Sequence, residues 1–210
     1  MHTDKHNTGG KPYTLYNLYI DTPDSQLIRR SLDKPVYKEK LRIRSYHRFD
    51  LDQPVFLELK KRYKKTTNKR RTKIMFDDAL AIVTTGQAPK HHDYMNRLVV
   101  DELMAICCQQ SYEPKVYITY DRQALTATMP GEDLRVTFDT NLRAQLYGQS
   151  EVTALLPADK IIMEIKTMWS IPLWLTKILN DYGIRRQSFS KYGTEHKLRL
   201  QTTLTETNHA

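Results

Sequence analysis

Between Tyr37 and Arg48 the chain reads Y-K-E-K-L-R-I-R-S-Y-H-R, and the cations fall on every second residue. Lys38, Lys40, Arg42, Arg44, Tyr46 and Arg48 take one set of alternate positions; Tyr37, Glu39, Leu41, Ile43, Ser45 and His47 take the other. Successive side chains of a strand point to opposite faces, so a period of two predicts a β-strand with one strongly cationic face. A helix would scatter the same charges around its circumference. Taken alone, such a strand is most simply half-solvated, its charges in water and its apolar side on a core.

The pattern recurs. Val55 to about Arg71 reads as one long strand, with Phe56, Glu58, Lys60 and Arg62 on one face. Val55, Leu57, Leu59 and Tyr63 lie on the other, with Lys61 among them. The run from Lys60 to Lys73 is so rich in Lys and Arg that its far end is expected to leave the fold for solvent. Lys115–Arg122 alternates Val116, Ile118, Tyr120 and Arg122 with Lys115, Tyr117, Thr119 and Asp121. Leu134–Asn141 sets Leu134, Val136 and Phe138 against Arg135, Thr137 and Asp139, and Ile161–Lys166 sets Ile161, Met163 and Ile165 against Ile162, Glu164 and Lys166. Tyr13–Asp21 reads as an opening strand and Ser188–Tyr192 as a last one.

Helices are predicted over Gln26–Arg30, over Phe76–Thr84 with Asp77 and Asp78 at its positive end, and over Asp93–Gln110. The last has an apolar stripe of Tyr94, Leu98, Leu103, Ile106 and Cys107. A fourth, Pro172–Asp181, stops before Gly183. Pro130-Gly131 marks a hairpin tip, and His91-His92-Asp93 reads as a helix start, not a metal site. Residues 1–12 read as a mobile arm, 13–193 as the folded body and 194–210 as a polar tail.

These elements give an α+β fold. Five strands each pair an apolar face with an ionic one, and helices need apolar strand surface to pack on. If helices cover the apolar faces, the ionic faces must turn toward one another, as an antiparallel β-barrel with a charged, wet lumen. Two like charges about 4 Å apart repel by roughly 4 kcal/mol at an effective dielectric of 20, so such a lumen favours a bound polyanion. Arg and Lys are natural phosphate ligands. Carboxylates among them, Glu164 first and Glu58 second, suit Mg²⁺ or Mn²⁺ held jointly with phosphate oxygens.

Bulk composition agrees without deciding. A length of 210 residues suits one domain, and a formal net charge of +9 favours nucleic acid, acidic lipid or a phosphate-rich small molecule as partner. Cys107 and Cys108 are adjacent and read as buried thiols, which points to a reducing, cytoplasmic compartment. No apolar run approaches the ~20 residues of a membrane span.

Seven segments occur in a telling order: Y-N-L-Y-I-D-T-P-D (16–24), K-L-R-I-R-S-Y (40–46), L-E-L-K (57–60), Y-D-R (120–122), L-R-V-T-F-D (134–139), M-E-I-K (163–166) and S-F-S-K-Y (188–192). Together they resemble the VTC domain, the polyphosphate polymerase domain of the vacuolar transporter chaperone family, within the triphosphate tunnel metalloenzymes. The resemblance spans about 13–193 and implies a tunnel barrel with basic residues inside. By this likeness Arg42, Arg44, Lys60, Arg122, Lys166 and Lys191 grip and activate the triphosphate. Lys40, Arg62, Tyr120, Arg135, Ser188 and Ser190 contact substrate, and Glu164, with Glu58, holds Mn²⁺ or Mg²⁺. The implied reaction passes the terminal phosphoryl group of a nucleoside triphosphate to a polyphosphate chain. A triphosphate hydrolase and a silent polyphosphate sensor are the alternatives. Nucleic acid is not the expected partner, and a membrane protein is left open as one. The family's basic opening strand lies upstream of the Y-x-x-Y-x-D-T segment. Only residues 1–12 precede Tyr13, so one tunnel wall is expected to be missing.

Overall fold

The strands pair into one antiparallel sheet in the computed structural model, which describes residues 1–3, 7, 10–89, 97–127 and 133–207. The strands are β1 (His2–Thr3), β2 (Tyr13–Asp21), β3 (Tyr37–Ser45), β4 (Pro54–Tyr63), β5 (Thr66–Met75), β6 (Glu113–Thr126), β7 (Leu134–Leu146), β8 (Val152–Ala154) and β9 (Ile162–Thr167). The helices are α1 (Gln26–Leu32), α2 (Phe76–Thr85), α3 (Arg97–Cys107), α4 (Leu173–Asp181) and α5 (Lys191–Thr207). The order is β5-β4-β3-β2-β6-β7, with β8 and β9 both on the far edge of β7. β1 prolongs β2 along the same edge of β6. The expected helix start at His91-His92-Asp93, the stripe residue Tyr94 and the Pro130-Gly131 tip lie outside the described residues.

Register explains how the sheet sorts its faces. Arg42 lies opposite Tyr19 and Glu58, and Arg44 opposite Asn17 and Phe56. Between them, Leu41 and Ile43 oppose Ile20 and Leu18 on one side, Leu59 and Leu57 on the other. The latter set forms the main core with Ile82, Val83, Val99, Val100 and Leu103 of α2 and α3. On the same outer side, Leu134 and Val136 pack against Leu175 of α4. Each fully buried Leu, Ile or Val contributes about 1.5–3 kcal/mol, and that apolar outer layer offsets the repulsion gathered on the inner face.

Several expectations are corrected. Val55–Arg71 is not one strand: Lys64 adopts φ 51 and turns the chain back into β5. The Lys-rich half therefore stays in the sheet, as an exposed edge strand, where lysine also discourages edge-to-edge pairing. Ser188–Tyr192 is not a strand; Lys191 opens α5, which runs on through most of the expected polar tail. Its first turns bury Tyr192, Glu195 and His196, while Leu200 and Leu204 further along are exposed. In the N-terminal arm, His2 and Thr3 pair with β6. Asn7 is buried there, donating to the carbonyls of Lys11 and Arg122 and accepting from the amide of Ala124.

The helices do not all lie outside. Ile28 of α1 and Tyr192 of α5 join Leu15, Tyr19, Val116, Ile118 and Tyr120 in a second core on the inner face. Within α3 the buried phase runs through Val99, Val100, Leu103 and Cys107, so Leu98 is exposed. Cys108 is likewise exposed. Its Sγ would lie 2.6 Å from a Cβ at Gly86, which ends α2 at φ 67; only glycine suits both demands. Finally, among the described residues no ladder joins β5 to β8 or β9, so the curled sheet is open along that seam.

Candidate functional site

The inner faces of β3, β4, β5, β6 and β9 surround one cavity of about 490 Å³. Lys69 of β5 and Glu164 and Lys166 of β9 line it together, although these strands stand at opposite ends of the sheet. That juxtaposition requires the sheet to roll. A second cavity of about 340 Å³ adjoins it and shares Lys40, Lys60, Thr67, Phe189 and Ser190. Eight cations line the larger cavity: Lys40, Arg42, Arg44, Lys60, Lys69, Arg122, Lys166 and Lys191. Against them stand Glu58 and Glu164 in the lining and Asp139 behind Arg122 and Lys191, leaving an excess of five positive charges.

The cations are held in different ways. Arg42 donates through Nε to Glu58 at 2.8 Å, with Nη2 at 2.7 Å, and Lys69 Nζ meets the other Glu58 oxygen at 2.6 Å. Burial alone would raise the Glu58 pKa; Arg42, Arg44 and Lys69 hold it down to about 2 instead. Glu58, expected as a second metal ligand, is held here as a counter-ion between Arg42 and Lys69. Asp139 serves the same purpose. It accepts from Arg122 Nε at 2.6 Å and Nη2 at 2.8 Å, and from Lys191 Nζ at 2.7 Å.

Arg44 differs. Its Nε donates to Asn17 Oδ1 at 2.8 Å and its Nη2 to Tyr120 Oη at 3.1 Å. Asn17 is itself buried and fixed by donating to the Ile118 carbonyl at 3.0 Å. Arg44 is thus hydrogen-bonded to neutral acceptors, and although its charge also acts on Glu58 at a distance, it can meet an anion in the cavity. Arg44→Ala is expected to weaken tripolyphosphate binding by about 2 kcal/mol, roughly thirtyfold in Kd. Calorimetric titration would check this, and an unchanged Kd would remove Arg44 from the site.

Lys40, Lys60 and Lys69 form a row across β3, β4 and β5, each directly opposite the next. Lys40 donates to Ser190 Oγ at 2.7 Å. Burial lowers the pKa of all three lysines, and nearby cations lower it further. A bound polyanion favours the charged form, so its binding should draw protons from solution. Affinity should fall with rising pH, and the fall should begin below the ordinary lysine range. Titrations in buffers of different ionisation enthalpy would read this uptake; binding without proton exchange at alkaline pH would contradict it.

Glu164 keeps about half of its side chain exposed, with Lys166 Nζ at 3.4 Å and Arg122 Nη2 at 3.7 Å. Burial would raise its pKa, but Lys166 and Arg122 outweigh that and lower it, so it is ionised at neutral pH. Among the described residues no group of three His, Cys, Asp or Glu is arranged to hold a metal. One open carboxylate fits a Mg²⁺ or Mn²⁺ ion that shares its shell with substrate phosphates and water, as such ions commonly do.

Two of the sequence motifs meet at one end of the cavity. Asp21 accepts from the amides of Thr22, Leu27 and Ile28, capping α1, and from Tyr192 Oη at 3.0 Å. Tyr19 stacks on Tyr192 with ring centroids 4.8 Å apart, and its hydroxyl lies 3.4 Å from Arg42 Nη1. Burial would raise the Tyr19 pKa, but Arg42, Lys40 and Arg44 turn the shift downward. The Y-x-D-T and S-K-Y segments thus place Ser190 and Lys191 beside Lys40 and Asp139.

Of the expected residues, Lys40, Arg42, Arg44, Glu58, Lys60, Tyr120, Arg122, Glu164, Lys166, Ser190 and Lys191 come together at the larger cavity. Arg62 and Ser188 line the smaller one. Arg135 pairs in register with Thr126 and Lys166 and lines neither. Missed were Lys69, hidden by the unrecognised hairpin, and Asn17, Tyr19, Gln187 and Phe189. Only Tyr19 and Asn17 carried a signal, since their alternation puts them on the inner face of β2.

A rolled antiparallel sheet with cations converging on its interior defines a protein of the triphosphate tunnel type. The chain belongs to the VTC domain family, which matches residues 1–199. The crystal structure of a "putative adenylate cyclase" from Bacillus halodurans has a similar fold, with a TM-score of 0.50 at 13% identity, covering 85% of this chain and 79% of that one. No curated protein matches the chain.

Proposed function

We propose that the lumen binds a nucleoside triphosphate with Mn²⁺ or Mg²⁺ and passes its terminal phosphoryl group to the end of a polyphosphate chain, releasing the nucleoside diphosphate, in the cytoplasm. The observation that carries this is the excess of five positive charges around a single open carboxylate, Glu164. A triphosphate brings about four negative charges and its divalent ion returns two, so the lumen keeps positive charge for the phosphates of an acceptor chain. When bound, the metal neutralises charge on the phosphate oxygens. The chain's own residues position and neutralise: Arg44 as a fork, Lys60 and Lys166 as point charges, Lys191 and Ser190 from the start of α5. The attacking group is a phosphate oxygen of the acceptor, so no protein nucleophile is required. The adjoining cavity, lined by Lys34, Lys38, Arg62 and Lys197, continues the cationic surface for a longer chain.

One observation favours a second reading. No ladder closes the sheet between β5 and β9 among the described residues, and entry of water there would suit a triphosphate hydrolase. Incubation with ATP, Mn²⁺ and a short polyphosphate primer distinguishes the two. Longer chains establish the polymerase; free phosphate without longer chains establishes the hydrolase. Neither product, with thermal stabilisation by tripolyphosphate, would make the domain a polyphosphate sensor and overturn the catalytic reading.

A further inference from the structure

The segment leading into and out of α4 carries an unusual load of exposed apolar side chains. Met168, Trp169, Ile171, Leu173, Trp174, Ile178, Tyr182 and Ile184 are all exposed, Leu173 to 87% and Trp169 to 79%. Exposure that high means side chains standing proud of the surface, not a flat patch sheltered by its neighbours. Ile171, Trp174, Ile178 and Tyr182 follow helical spacing, beside the stripe of Leu175 and Leu179 that packs on β7 and β9. Lys177, Arg185 and Arg186 rim this apolar ridge, with Asp181 the one acid from 168 to 186.

We infer that residues 168–186 dock this domain on an anionic lipid surface, the apolar ridge entering the headgroup layer while Lys177, Arg185 and Arg186 meet lipid phosphates. Tryptophan and tyrosine favour the boundary between apolar and wet phases, and protruding side chains suit a soft layer better than a flat protein face. The charges at the rim select an anionic surface. The helix is far too short to span a bilayer and lies along it. Lys166 precedes the segment and Gln187 follows it, and both line the larger cavity, so docking would turn that side of the lumen toward the lipid. The inference stands without the proposed reaction.

The chain's two tryptophans both sit in this segment, so emission excited selectively from tryptophan, and not from the 13 tyrosines, reports on it alone. With vesicles of phosphatidylcholine and phosphatidylglycerol, the emission should shift to the blue and the protein should float with the vesicles. Phosphatidylcholine alone should give much less. A Leu173→Asp/Ile178→Asp variant should lose flotation, and Arg185→Gln/Arg186→Gln should weaken partitioning roughly tenfold or more. Both should keep wild-type tripolyphosphate affinity, which separates this test from that of the lumen. Flotation lost in Arg44→Ala but kept in Leu173→Asp/Ile178→Asp would assign lipid binding to the lumen and overturn the inference. So would absence of flotation, or a blue shift that appears without lipid as protein concentration rises, which would mean self-association.

Discussion

Glu164→Gln should lower metal-dependent phosphoryl transfer at least ~100-fold, about 2.7 kcal/mol in activation free energy, while tripolyphosphate without metal binds as tightly as before or tighter. The two halves of that expectation have one cause. Glu58 and Asp139 are buried and gripped by their cations at 2.6–2.7 Å, whereas Glu164 stands 3.4 Å from Lys166 and 3.7 Å from Arg122 and keeps about half of its side chain open. In the proposed metal role, neutralising it removes a ligand and a negative charge together, so the metal would lose its anchor while the lumen becomes more attractive to anions. Turnover should be followed across a Mn²⁺ titration, since a weakened site shows first as a higher metal requirement. Wild-type turnover at wild-type Mn²⁺ would remove Glu164 from the metal role.

Asp21→Ala should cost about 3 kcal/mol or more, roughly 6–12 °C in Tm for a domain of this size. The carboxylate is wholly buried and accepts from two α1 amides, from the Thr22 amide and from Tyr192 Oη. Truncation leaves those donors buried without an acceptor, and water cannot readily replace it. The loss should reach the lumen as well, because Tyr192 follows Lys191 directly in α5. Tripolyphosphate affinity should therefore fall although Asp21 touches no ligand, and Tyr192→Phe should show a milder form of both effects. Urea unfolding of the two variants would measure this; a cost for Asp21→Ala no larger than that for Tyr192→Phe would refute the capping role.

The sheet was legible in the sequence because its periodicity serves two masters at once. Leu41 and Ile43 must face α2 and α3, so Lys40, Arg42 and Arg44 must face inward, and a one-residue slip would exchange the sets. The same logic fixed Glu164 and Lys166 against Met163 and Ile165. What alternation could not show was the turn at Lys64, because a left-handed lysine has no sequence mark comparable to Asn-Gly. With that turn went β5 and Lys69, which completes the hold on Glu58. Nor could local pattern show that Ser190 and Lys191 lie at a helix start, since their placement depends on Tyr192 reaching Asp21 from the other end of the chain. Alternation puts Asp139 and Arg122 on ionic faces, but the second partner of Asp139, Lys191, depends on that same distant contact.

Lysine footprinting by acylation and mass spectrometry, with and without tripolyphosphate, addresses the rolled lumen most directly. Lys60, Lys69 and Lys166 belong to β4, β5 and β9, and tripolyphosphate should protect all three together while Lys160 and Lys177 react as before. Protection confined to β4 and β5, or spread evenly over those exposed lysines, would mean that the sheet's two ends do not share one cavity.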